Sequence, residues 1–321
     1  MILNVVRPGW ELRLRQGALE ARGRDGDRLR IPLAQVDAIL IATRGAMVSS
    51  ALLGEAARLG IPVYLVTASG DVVAVVEPGE AHRTADTQLA QASWRLDPAR
   101  RLEASRWFVR LKVEARARML RLEAKRLGDP ELRDASYELE ARARALVGAA
   151  SSLEELRGAE AALGRAYWGL YAGHLLPRGL GFTGRRPRGG DPVNSSLDYL
   201  YAILRGYCHS ALRIAGLNPY VGFMHSERSG RPSLTLDFME VFRWRVEEAL
   251  ARLVARGFRP VVEEGLLDRE SRAVLASEWA RLSEARLPRS KRTLREAIVA
   301  AAWGLASSLR RGAAWEPELG V

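Results

Sequence analysis

The sequence predicts an α+β protein: a small β-rich N-terminal domain over residues 1–80, a linker over 81–95 and a larger all-α domain over 96–321. Three observations predict it. The first eighty residues alternate apolar and charged positions between frequent turn signals. Pro78-Gly79 then closes the last short apolar run. Beyond it Leu, Ala, Arg and Glu recur at helical spacing almost to the C-terminus.

The elements follow in order. In ELRLR, Leu12 and Leu14 alternate with charges, ahead of turn signals at Gln16-Gly17 and Asp25-Gly26. Residues 36–41 and 61–66 are short runs rich in β-branched side chains, and 71–76 reads as one more strand. Between the first two runs, residues 49–59 have helical spacing behind a serine cap. Helices are expected over 98–127, 131–147, 153–175, 194–216, 236–257, 266–285 and 291–311, the third opened by a capping box at Ser152 and Glu155. Residues 179–193 (GLGFTGRRPRGGDPV) hold too many glycines and prolines for regular structure.

Composition narrows the function. The 321 residues carry a net charge of +11 and a pI of about 10.4. Of the 49 basic residues only Lys112, Lys125 and Lys291 are lysines. A hydrophobic fraction of 48% excludes a disordered chain. The single cysteine, Cys208, excludes an intramolecular disulfide and any CxxC motif. The N-terminus is charged too early for a signal peptide, and no apolar run is long enough to span a bilayer. A cytoplasmic protein with no membrane association is expected. The basic excess points to a polyanion, nucleic acid before an anionic membrane surface, although codon bias also produces arginine-rich chains. With 7% aromatics and no aromatic-rich strand, duplex or branched DNA is favoured over RNA.

Two helices carry charge where apolar residues belong. The stripe Leu153, Leu156, Leu163, Tyr167 and Leu170 is interrupted by Glu160. An inward carboxylate must be paired, protonated or metal-bound, because burying it bare costs several kcal/mol. An internal pair with arginine is the competing reading. In SLTLDFMEVFRW, Asp237 and Glu240 share a helical face near the expected helix start. Among the four histidines, His209 reads as a packed core residue, while His225 lies in a glycine-punctuated loop just before the two acids. An imidazole and two carboxylates this close suit Mg²⁺ or Mn²⁺ better than a structural zinc.

Those residues carry a family resemblance. Residues 216–243 (GLNPYVGFMHSERSGRPSLTLDFMEVFR) resemble the signature of Cas1, the CRISPR-associated integrase family that acquires spacers. The matching positions are Gly216, Leu217, Pro219, Gly222, Phe223 and His225, then Gly230, Arg231, Ser233 and Leu234, then Asp237, Glu240, Phe242 and Arg243. Upstream, Glu160, Ala161, Ala162 and Tyr167 match a second block, and Asp191-Pro192-Val193-Asn194 resembles the family's entry into its next helix. Met224 and Trp244 depart from the usual pattern without touching the candidate ligands.

The resemblance implies that the helical domain carries the active site, with metal ligands Glu160, His225 and Glu240 and Asp237 as a neighbouring acid. It implies insertion of short double-stranded DNA into a CRISPR array by 3′-hydroxyl attack, with nuclease activity when water attacks. It further implies a homodimer formed through the β domain and assembly with the small partner Cas2. Candidate phosphate contacts are Arg185, Arg186 and Arg188 on the glycine-rich loop, and Arg228, Arg231 and Arg243 near the acids. A non-catalytic architectural DNA-binding protein and a hydrolase of small phosphoesters remain as alternatives.

Overall fold

The computed structural model describes residues 2–5, 7–36, 38–59, 61–66, 72–76, 84–177, 179–225, 230–287 and 290–320. The chain divides into two compact units, Met1–Thr84 and Ala85–Val321.

The first unit contains β1 (Ile2–Val5), β2 (Glu11–Arg15), β3 (Ala18–Arg22), β4 (Arg28–Pro32), β5 (Ala38–Ile41), β6 (Met47–Val48), α1 (Ser50–Arg58), β7 (Val63–Val66) and β8 (Val72–Val76). These form two four-stranded sheets, ordered β1-β5-β7-β8 and β4-β3-β2-β6. In the first, β1, β5 and β7 are parallel and β8 is antiparallel. In the second, β2, β3 and β4 form an antiparallel meander. Its first turn places Gln16 and Gly17 at φ 50° and 70°, the paired left-handed conformation that a two-residue hairpin requires. Period-two alternation sends Leu12 inward, and it packs with Leu19, Ile31, Ile39, Val63 and Leu52 of α1 in one shared core. Ser49 caps α1 through a bond from Leu52 N–H.

The second unit holds the helices. α2 (Thr84–Leu96) is followed by α3 (Pro98–Leu127), α4 (Pro130–Ala149), α5 (Leu153–Leu170), α6 (Pro192–Ile214), α7 (Ser233–Met239) and α8 (Arg243–Ala255). A hairpin of β9 (Val262–Glu263) and β10 (Leu266–Leu267) precedes α9 (Arg269–Glu284) and α10 (Leu294–Arg311). Asp97-Pro98, Asp129-Pro130 and Asp191-Pro192 start α3, α4 and α6 in the same way, a capping carboxylate before a proline that has no N–H to leave unsatisfied. α6 packs against α7, α8, α9 and α10, while α3 packs against α4, α5, α7 and α8. No helix among the described residues is long and apolar enough to cross a membrane.

Three expectations need correction. The linker expected over 81–95 is helical from Thr84. Its inward positions Thr87, Gln91 and Trp94 are partly polar, which hid the helical period. The single helix expected over 236–257 is two helices that meet at Glu240–Phe242, and the first begins at Ser233. Asp237 and Glu240 therefore end a short helix rather than opening a long one. At α5, Ser152 accepts the Glu155 N–H, but the Glu155 carboxylate returns to Ser151, so the box is not reciprocal.

His209 is a core residue, buried with its Nδ1 3.2 Å from Thr235 Oγ1. Burial, then the Arg205 charge, lowers its pKa from 6.5 to about 4. The folded imidazole stays neutral while the unfolded one protonates near 6.5, so stability present at neutral pH is lost as pH falls through that window. Denaturant unfolding should show about 3 kcal/mol of such loss between pH 7 and 4. A His209→Gln variant should lack that component.

Candidate active site

The site is built where α3, α5 and the α7–α8 junction meet. Glu160 lies on α5 and Glu240 at the end of α7, eighty positions apart in sequence. Both reach the ammonium of Lys112 on α3. Its Nζ is 2.6 Å from Glu160 Oε1 and 2.8 Å from Glu240 Oε2. The Lys112 and Glu240 side chains are 10% and 8% exposed, and Glu160 opens outward at 24%. Arg243 Nη1 lies 2.9 Å from the other Glu240 oxygen, and its guanidinium sits over the Tyr201 ring at 4.5 Å. Burial opposes ionisation of Glu240. The charges of Arg243, Lys112 and Arg116 overrule it and hold the carboxyl well below the ordinary carboxylate range.

His225 is placed by Asp237. The Asp237 side chain is fully buried, and its Oδ1 accepts the His225 N–H at 3.1 Å and the ring Nδ1–H at 2.5 Å. Its Oδ2 accepts the N–H groups of Phe223 at 2.7 Å and Met224 at 3.1 Å. Because a carboxylate that takes three backbone donors acts as acceptor, Nδ1 is the ring nitrogen that donates, and Nε2 is the one not bonded to Asp237. With four bonds to one loop, Asp237 is a positioning residue.

Other helices grip the same loop. Gln91 on α2 bonds Asn218 and Val221, Arg101 on α3 holds the Phe223 carbonyl at 2.8 Å, and Arg157 on α5 holds that of Met224 at 2.7 Å. Gly222 is required by close approach. A Cβ there would stand 2.7 Å from Ser233 and 2.8 Å from Asp237 Oδ2.

The donor set fits an oxygen-preferring divalent ion in kind: two carboxylates already gathered on one cation, and an imidazole oriented through Nδ1 with Nε2 not bonded to Asp237. Glu240 Oε2 is buried, and despite its closeness to Lys112 it receives no well-directed hydrogen bond. Among the described residues, however, no three His, Cys, Asp or Glu side chains cluster closely enough to hold an ion. The structure thus brings Glu160 and Glu240 together and leaves His225 outside that cluster, turned to Asp237.

The candidate arginines separate. Arg185 is committed inside the protein, bonding Asn194 Oδ1 at 2.8 Å and pairing with Asp198, at 11% exposure. Arg243 is likewise paired with Glu240. Arg186 and Arg188 are exposed, and Arg231 is half-buried. Arg228 lies outside the described residues.

Sequence reasoning missed Lys112, Arg116 and Glu247. Glu247 on α8 is fully buried, and its oxygens accept from Arg116 Nε at 3.0 Å and from Tyr167 and Tyr201 hydroxyls at 2.5 Å each, with a further bond from Arg116 Nη2. Burial resists its charge, and Arg116 with these bonds keeps its pKa below the ordinary value. A signal was present. Glu247 shares a helical face with Trp244, Leu250 and Ala251, the same anomaly that marked Glu160, and Lys112 and Arg116 lie four apart on α3.

A family model described as CRISPR-associated protein Cas1 matches residues 3–281. The chain belongs to the Cas1 family. A CRISPR-associated endonuclease Cas1 of Pyrobaculum aerophilum is 35% identical over 278 residues, covering 86% of this chain and 90% of the relative. One from Hyperthermus butylicus is 32% identical, covering 98% and 97%. Among solved structures, a Cas1 protein from Thermotoga maritima superposes with a TM-score of 0.79 at 19% identity over 99% of this chain and all of that one. A casposase bound to integration product gives 0.79 at 20% identity, covering 99% and 93%. Cas1 relatives and the casposase thus share this fold, with its strand-rich start and helical remainder.

An Asp237→Asn substitution would turn an NH₂ group toward N–H donors and cost about 3 kcal/mol. Hydrogen exchange should quicken at the amides of Phe223, Met224 and His225 while those in the middle of α10 keep their protection.

Proposed function

We propose that this Cas1 protein is a divalent-metal-dependent integrase of CRISPR adaptation. It inserts short double-stranded DNA fragments into an array by attack of a fragment's 3′-hydroxyl on a phosphodiester, and it acts as an endonuclease when water attacks. The observation that carries this reading is the convergence of Glu160 and Glu240, from separate helices, on one buried cation position beside the loop that Asp237 braces.

Glu160, Glu240 and the Nε2 of His225 would hold Mg²⁺ or Mn²⁺. When bound, the ion lowers the pKa of the hydroxyl nucleophile and polarises the attacked phosphate. The residues of the chain do the rest. Asp237 holds the His225 ring through Nδ1, so Nε2 is the nitrogen it offers to the ion. Arg243, stacked on Tyr201, keeps Glu240 ionised. Arg186, Arg188 and Arg231 offer phosphate contacts, which bring affinity without reading sequence. The net charge of +11 favours the same polyanion.

Partners belong to the proposal as well: a homodimer through the β-rich unit, and an assembly with Cas2 on duplex or branched DNA in the cytoplasm. A solved complex in which a Cas1-containing fusion is joined with Cas2 has the same fold in its matching part, with a TM-score of 0.72 at 20% identity. It supports the Cas2 reading.

The test is an integration assay with a short duplex, supercoiled target plasmid and Mg²⁺ or Mn²⁺. Glu160→Ala and Glu240→Ala should each reduce joined product at least about 100-fold while duplex binding stays within threefold of wild type. Undiminished joining by a folded Glu160→Ala protein would leave the non-catalytic, internally paired reading in its place.

A further inference from the structure

Lys112 is unusual by composition and by position. It is one of three lysines in a chain whose other 46 basic residues are arginines. It is also nearly buried, at 10% exposure, between two carboxylates on different elements. A surface ion pair contributes little and is replaceable, but a buried ammonium touching two carboxylates holds together groups that would otherwise repel. The choice of side chain is informative. Arginine presents a wide planar fork, whereas the lysine ammonium is a compact point charge on a flexible stem, closer to an inorganic cation in size and able to withdraw without rearranging the helices.

We propose that Lys112 is a resident counter-cation that holds the Glu160–Glu240 pair in the metal-free protein and competes with a divalent ion for the same position. This rests on the reading of those glutamates as metal ligands. Charge counting gives the consequence. Glu160 and Glu240 are balanced by Lys112 and Arg243, so the assembled group is neutral. A divalent ion that displaces the Lys112 ammonium leaves an excess of one positive charge beside Arg243, which a DNA phosphate neutralises. Metal therefore binds weakly to the free protein and more tightly in the presence of DNA, and Lys112 sets that difference. Removing the ammonium leaves a net negative group that takes metal without help.

The experiment is a Mn²⁺ titration of the full chain without DNA, followed by electron paramagnetic resonance, on wild type, Lys112→Met, Glu160→Gln and Glu240→Gln. Lys112→Met should bind Mn²⁺ at least tenfold more tightly than wild type, and both glutamine variants more weakly. Thermal unfolding gives a second readout: the metal-free midpoint of Lys112→Met should fall below that of wild type, and Mn²⁺ should raise it by more. Should Lys112→Met not fold without metal, it is refolded in Mn²⁺. Folding there with unfolding on chelation supports the proposal, and failure to fold in both conditions overturns it. If both glutamine variants bind Mn²⁺ like wild type, the metal-site reading itself falls. If they lose binding while Lys112→Met matches wild type or binds less, only the role of Lys112 falls.

Discussion

The helical unit is organised around the buried carboxylate of Glu247. One group on α8 receives the Arg116 guanidinium from α3, a phenol hydroxyl from Tyr167 on α5 and another from Tyr201 on α6. The Tyr171 hydroxyl, just past α5, donates to the Glu247 main-chain carbonyl at 2.8 Å. Arg116 is itself sandwiched against the Tyr167 and Trp168 rings, at 4.3 and 5.2 Å. Burying a charge is tolerated only when every lone pair is answered, and here four donors answer two oxygens. Such a node fixes the mutual rotation of the helices that carry Lys112, Glu160 and Arg243. The paired carboxylates of Glu160 and Glu240 depend on that alignment, because a shift of about 1 Å disperses a cluster built from separate helices.

A second constraint concerns the loop ahead of α7. An irregular, glycine-rich segment inside a protein exposes polar main chain that water cannot reach. Here side chains from four helices satisfy it: Gln91, Arg101, Arg157 and Asp237 each bind loop main-chain groups. Residues 218–225 are thereby held from several sides, and His225 inherits its position. Gln91, one of the polar residues on α2 that concealed its helical period, performs part of this task, while Thr87 accepts from Arg310. The Gln91 bonds that hold Asn218 and Val221 thus made the helix hard to read.

Much of the architecture was legible locally. The β-rich start, most of the helical stretches that follow and the capped start at Ser152 depend on side chains a few positions apart, and periodicity records those directly. Glu160 was visible for the same reason, as a charge inside an apolar stripe. The break at Glu240–Phe242 was not, because nothing within SLTLDFMEVFRW forbids a continuous helix. It arises because Asp237 is drawn to the loop while Glu240 is drawn to Lys112 and Arg243.

The arginines show the same division. Sequence alone determined that the chain is strongly basic, that Glu160, His225, Asp237 and Glu240 stand out from their surroundings, and that their order matches the Cas1 signature. Only tertiary structure decided which charges are spent internally: Arg185 on Asp198, Arg243 on Glu240, Arg116 on Glu247, and Lys112 on two glutamates at once. The physical reason is that helical periodicity reports which face a residue occupies, whereas Lys112 and Arg116 meet carboxylates on helices scores of positions away, and no local pattern encodes that distance.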